Sequence, residues 1–142
     1  MIRLYTYRDL RDAVYLEAAC KLHNISFPYD NVDCETFASF ILSDPNFDED
    51  ITYFAVGDGD RVLGFLAGVE VVKEPREAIE KFRDVLFEKD VVVDPHLPAD
   101  LRRDVLSTLL KEFENVAKAR DKKSVVLYAY APYYFMPGIN IL

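Results

Sequence analysis

The chain has 142 residues, 51% of them hydrophobic and 30% charged, with ten Phe and nine Tyr. That size and make-up fit one domain with a self-sufficient core and exclude a disordered chain. A formal net charge of −8 repels phosphate backbones and anionic lipid, so neither nucleic acid nor a membrane surface is expected as a partner, while a cationic ligand such as an amine would be attracted. A merely solvated acidic surface accounts for the same charge.

No apolar run approaches the roughly 18 to 20 residues of a membrane span. Met1-Ile2-Arg3-Leu4-Tyr5 leads straight into a charged stretch with no signal-peptide pattern, so a cytoplasmic, reducing environment is expected. Cys20, His23, Cys34 and His96 show no CxxC or HExxH spacing, so no metal site is expected. The Cys20-x-x-His23 pair reads as a buried thiol and a surface imidazole.

In chain order, Ile2 to Tyr7 alternates as a half-buried strand does. Asp9 is placed to cap a helix with Leu10, Val14, Ala18, Leu22 and Ile25 on one face, ending before Pro28. Asp33 caps a second, short helix that buries Phe37, Phe40 and Ile41 and stops at Ser43-Asp44-Pro45-Asn46. Ile51 to Val56 and Arg61 to Val72 form a hairpin about the turn Gly57-Asp58-Gly59-Asp60. Within its second strand, Gly64 and Gly68 mark a bulge or a close backbone approach.

Glu74 to Phe87 has helical charge spacing after Pro75 and reads as a helical insertion. Glu88 to Asp94 is a strand whose Val91-Val92-Val93 run implies cover on both faces. Pro98 to Arg120 is the longest helix, burying Leu101, Val105, Leu109, Phe113 and Val116, and Ser124 to Tyr130 is the last strand. The order β-α-α-β-β-(α)-β-α-β, with no linker or repeat, defines one α/β (α+β) domain. A strand that feeds a helix within a few residues, as at Val93-Asp94-Pro95, is a common ligand cradle, because the helix start offers unpaired N–H groups and a positive dipole end.

This order, with the hairpin followed by a Val-x-Pro strand end and a helix, resembles the Gcn5-related N-acetyltransferases. Tyr133-Tyr134-Phe135-Met136-Pro137-Gly138-Ile139-Asn140 is similar to the segment after the fifth strand in a subset of them. The resemblance implies a mixed, mostly antiparallel sheet flanked by helices. It implies acetyl-CoA as co-substrate and acyl transfer to a primary amine on a small molecule or peptide. In that family the fourth strand holds the pantetheine arm through its backbone, which corresponds here to Val92 and Val93, and the following loop holds the pyrophosphate.

Aligned on Leu109-Leu110, the pyrophosphate segment falls on Arg102, Arg103, Asp104, Val105, Leu106 and Ser107. The family's two glycine positions and its leading basic position are occupied here by Asp104, Leu106 and Leu101. A carboxylate about 4 Å from a phosphate costs about 1 to 4 kcal/mol depending on the dielectric, which Arg102 and Arg103 are placed to offset; pairing with Asp100 or Asp104 is their alternative role. Glu88 is a candidate base, and Tyr128, Tyr130, Tyr133 and Tyr134 are candidate thiolate acids.

Family members continue past the fifth strand into another helix and two strands, whereas this sequence ends in a tail, Phe135 to Leu142, without a charged side chain. The expectation is the front part of a larger domain or protein, or a homodimer joined through that tail. The alternative to an enzyme is therefore a non-catalytic module of the same fold, used for dimerisation or for packing against an active domain.

Overall fold

The computed structural model describes residues 1–127. Candidates Tyr128, Tyr130, Tyr133 and Tyr134, and the apolar tail, lie outside the described residues. The elements are β1 (Arg3–Thr6), α1 (Ala13–Ser26), α2 (Cys34–Leu42), β2 (Phe47–Val56), β3 (Val62–Val69), α3 (Arg76–Lys81), β4 (Val85–Val93), α4 (Ala99–Ala119) and β5 (Ser124–Val126). The described strands form one sheet in the order β1-β2-β3-β4-β5, antiparallel throughout except for the parallel pair of β4 and β5.

Two hydrophobic layers cover the sheet. On one face α4 packs Val105, Leu106, Leu109 and Phe113 against Ile51, Tyr53, Leu66 and Val93. On the other, α1 and α2 pack Leu16, Ala19, Cys20, Phe37 and Ile41 against Phe54, Phe65 and Val92. Successive valines of β4 thus belong to opposite layers, as period-two alternation requires.

Glycine lets α4 lie close. A Cβ on Gly64 would sit 2.7 Å from Val105 Cγ1, and one on Gly68 would sit 2.5 Å from Phe113 Cε1. Any larger residue there would hold the helix off the sheet.

The first helix departs from expectation in its start and in its buried face. Asp12 is its cap, accepting from the Val14 N–H, because the Asp9 carboxylate is occupied by the Thr6 N–H and hydroxyl in the turn after β1. The inward face carries Leu16, Ala19, Cys20, Leu22 and His23, so Leu22 is buried as expected, whereas Val14 and Ile25 are exposed. Small residues at 19 and 20 allow close contact with the sheet, which the stripe through Val14 would not.

The insertion is shorter than the charge spacing suggests. The α3 helix ends at Lys81, and Val85 and Leu86 belong to β4, where Val85, Leu86 and Phe87 face Ser124, Val125 and Val126 across the ladder. Pairing with a distant strand overrides the local helical pattern. Asp33 caps α2 as expected, accepting from Thr36 N–H and Oγ1. Among the described residues, no helix is long and apolar enough to cross a membrane.

Candidate functional site: the bulged fourth strand and the turn after it

The β3–β4 register runs from Gly64↔Val93 to Ala67↔Asp90 and resumes at Gly68↔Glu88. Lys89 is therefore an extra residue, a bulge that bends β4 and sharpens its twist. The described pairing of β4 with β5 covers only Val85 to Phe87. Bulge and last pair coincide within two residues, so among the described residues no strand lies along the outer edge of β4 beyond them. The three valines follow this bulge directly.

Beyond Val93 the chain turns tightly. The N–H of Asp94 donates to Leu63 O at 2.8 Å, extending the β3–β4 ladder by one residue. Its buried carboxylate accepts from the His96 N–H at 2.9 Å and pairs with Arg61. From below, Arg102 Nη1 donates to Pro95 O at 3.2 Å and Leu97 O at 2.9 Å. These five contacts hold the turn from Asp94 to Pro98.

Helix α4 follows with no side-chain cap, Pro98 standing at the cap position. The first amide spent inside it is that of Arg102, which donates to Pro98 O. The amides of Ala99, Asp100 and Leu101 precede that first bond and carry the helix's positive end.

The predicted site residues fall into three groups. Val92 and Val93 lie at the end of β4, and Val105 reaches them across Gly64. Arg102 is turned onto the loop carbonyls, and Arg103 lies 3.8 Å from Asp100 with both side chains in solvent. Asp104 and Ser107 are exposed, while Val105 and Leu106 are sealed in the α4 core. Residues 103–107 are interior to α4, so their amides are spent on its own hydrogen bonds. Helix α4 begins just after Pro98, so its unbonded amides are those of Ala99 to Leu101, ahead of the aligned segment.

Glu88 is buried on the β4 residue directly before the bulge, opposite Gly68. His23, expected at the surface, is buried. Its Nδ1 lies 3.2 Å from Asp90 Oδ2 on β4, its Nε2 lies 3.2 Å from both Asp30 Oδ2 and Asp30 O, and its ring packs between Phe27 and Phe37. Burial works against the imidazolium, but the hydrogen bond and charge of Asp90 and those of Asp30 outweigh it and raise the pKa above 6.5. The signal in the sequence was the three-residue spacing from Cys20, which puts both on one helix face.

Burial, with Cys34 and Asp33 alongside, pushes the Cys20 thiol up to about 12, so it is no thiolate near neutral pH. Among the described residues no group of three His, Cys, Asp or Glu side chains is arranged to hold a metal.

No protein-family model matches the sequence, and no curated protein matches it. Solved structures do match. A protein of Clostridium acetobutylicum described as a predicted acetyltransferase, solved with acetyl-CoA, superimposes with a TM-score of 0.65 over 95% of this chain and 86% of its own, at 14% identity. The aminoglycoside 6′-N-acetyltransferase of Acinetobacter baumannii gives 0.58 over 92% and 80%, at 13% identity. The ribosomal-protein-S18-alanine N-acetyltransferase of Escherichia coli gives 0.53 over 82% and 61%, at 18% identity. The chain has the fold of the Gcn5-related N-acetyltransferases.

Proposed function

We propose that this chain is an acyl-CoA-dependent N-acyltransferase domain that moves an acetyl group from acetyl-CoA to a primary amine. The observation that carries the reading is the turn after the bulged strand β4, which Asp94 and Arg102 hold and which delivers the chain to the uncapped start of α4. An extended pantetheine arm would run beside Val92 and Val93 of β4, bonding to its backbone. The diphosphate would then meet the amides of Ala99, Asp100 and Leu101 at the helix's positive end.

The chemistry demands little beyond placement. The amine nitrogen attacks the thioester carbonyl carbon, the C–S bond breaks, and the proton lost by nitrogen ends on the departing thiolate, giving an amide and free CoA. Holding amine and thioester in contact supplies most of the acceleration such a reaction needs.

One observation favours the second reading, a non-catalytic module that packs against another chain or domain. Arg102 is committed to the loop carbonyls and Arg103 to solvent beside Asp100, leaving Asp100 and Asp104 to oppose a diphosphate. Calorimetric titration with acetyl-CoA separates the two. Micromolar binding, with thiol release when an amine is added, is the expected result; no heat at millimolar ligand removes the enzyme reading.

A further inference from the structure

The acyl-transfer reading leaves unused an open recess of about 460 Å³ lined by the end of α2, the last residues of β3 and those after it, α3, and the first half of β4. Its walls are apolar: Phe40, Val71, Ala78, Phe82 and Phe87 face it, with the Phe82 and Phe87 rings edge to face at 5.2 Å. The wall is also preformed. Asn46, itself buried, accepts the Val72 and Lys73 N–H groups at 3.1 and 2.9 Å and donates to Glu74 O at 2.6 Å, pinning the segment that leads into α3.

The bulge connects this recess to the valine end of β4. Because Lys89 is the extra residue, it and Asp90 both turn to the α1–α2 side, Asp90 to His23 and Lys89 to α2. There Lys89 Nζ sits 4.1 Å over the Phe40 ring and 2.5 Å from Asp44 Oδ2, so its charge is met inside the protein. A second recess of about 630 Å³ shares Asp44 and Pro75 with the first and is rimmed by Glu74, Arg76 and Glu77. Across the two recesses Asp44, Glu74, Glu77 and Glu88 stand against Lys89 and Arg76. The field therefore favours a cation over an anion.

We propose that this cavity is the acceptor pocket, and that it takes a primary amine carried on an aromatic or branched aliphatic body. The inference rests on the acyl-transfer reading for its chemistry, but its binding half stands alone. The body fills the space between Phe40, Phe82 and Phe87, where burial and ring contacts supply affinity. The amine faces the acidic rim and the bulge, which is where a thioester along β4 would begin. Neither a small polar amine nor an anion of the same shape satisfies both halves.

The test titrates the protein with 2-phenylethylamine, with ethanolamine, which lacks the ring, and with 3-phenylpropionate, which reverses the charge. Each is repeated on Ala78→Trp, which fills the cavity from α3. The expected result is that phenylethylamine binds about tenfold or more tighter than either control and that Ala78→Trp abolishes this preference, with acetyl-CoA affinity unchanged. If Ala78→Trp melts early, Phe82→Ala serves instead and loses the preference for the ring.

Equal binding of all three ligands, tighter binding of the carboxylate, or an unaltered preference in the filled variant overturns the proposal. Failure of phenylethylamine while acetyl-CoA still binds overturns this inference alone. Failure of acetyl-CoA while the amine still binds removes the acyl-transfer reading and leaves the amine site standing.

Discussion

Gly64 of β3 and Val105 of α4 are in such close register that the glycine's missing Cβ would lie 2.7 Å from Val105 Cγ1, with Leu109 Cδ1 and the Val92 carbonyl each at 3.1 Å. Helix, hairpin and β4 meet at this point. Gly64→Ala is expected to destabilise the fold by about 1 to 3 kcal/mol, since a tight interior cannot absorb the methyl without moving α4. Adding Val105→Ala should recover part of the loss. Urea denaturation of the single and double variants measures both, and a neutral Gly64→Ala would contradict the stated packing.

Phe113 is fully buried against the same sheet, beside Gly68. Phe113→Ala leaves a cavity that the flanking glycine cannot fill and should cost about 3 to 5 kcal/mol, a large share of the stability of a domain this size. Thermal unfolding followed by circular dichroism reads the loss.

The buried His23 sets a pH dependence whose sign is determined by its neighbours. Its folded pKa lies above the free value of 6.5, so its stabilising contribution is complete below that value and disappears as pH rises through the folded pKa. Stability should decline with rising pH across that window in the native protein and stay flat there in His23→Gln. Asp90→Asn should remove the same slope and cost about 1 to 3 kcal/mol, because it takes away a buried charged acceptor. An unchanged slope in either variant would show that another group titrates.

Arg102 acts on the proposed cofactor site through the turn it holds. Arg102→Ala frees the carbonyls of Pro95 and Leu97 and should weaken acetyl-CoA binding about tenfold, near 1.4 kcal/mol, while leaving the fold intact. Calorimetry and an unaltered far-ultraviolet spectrum test the two halves. A guanidinium that instead held the diphosphate directly would show a steeper salt dependence of binding, lost in the variant.

Much of the fold was legible because local chemistry and tertiary structure agree. Asp33 caps where its side chain can reach an N–H, the glycines of β3 lie where α4 comes closest, and the α4 stripe repeats at helical spacing over five turns. The misreadings have one cause, competition between equally good local patterns. Two apolar stripes run along α1, and only the sheet chooses the one through Cys20; Val85 and Leu86 suit a helix until β5 offers a ladder.

The site was harder to read because its parts are backbone features. A bulge at Lys89 leaves no mark in side-chain pattern except a glycine on the neighbouring strand. The amides at Ala99 to Leu101 are set by where a helix begins, a boundary that side-chain pattern marks only to within a residue or two. His23 was placed outside because a lone imidazole is usually solvated, and its two carboxylate partners come from positions 30 and 90.

The strands sit side by side in the order in which the chain is written. During synthesis on a ribosome, each strand after the first therefore emerges next to the edge it will join, and nothing already laid down has to be parted to admit it. Between strands the chain detours through helices, α1 and α2 before β2, α3 before β4 and α4 before β5. A nascent chain that has reached Val93 therefore already holds four neighbouring strands, while the turn after β4 is fixed only once Arg102 has emerged on α4 to hold its carbonyls.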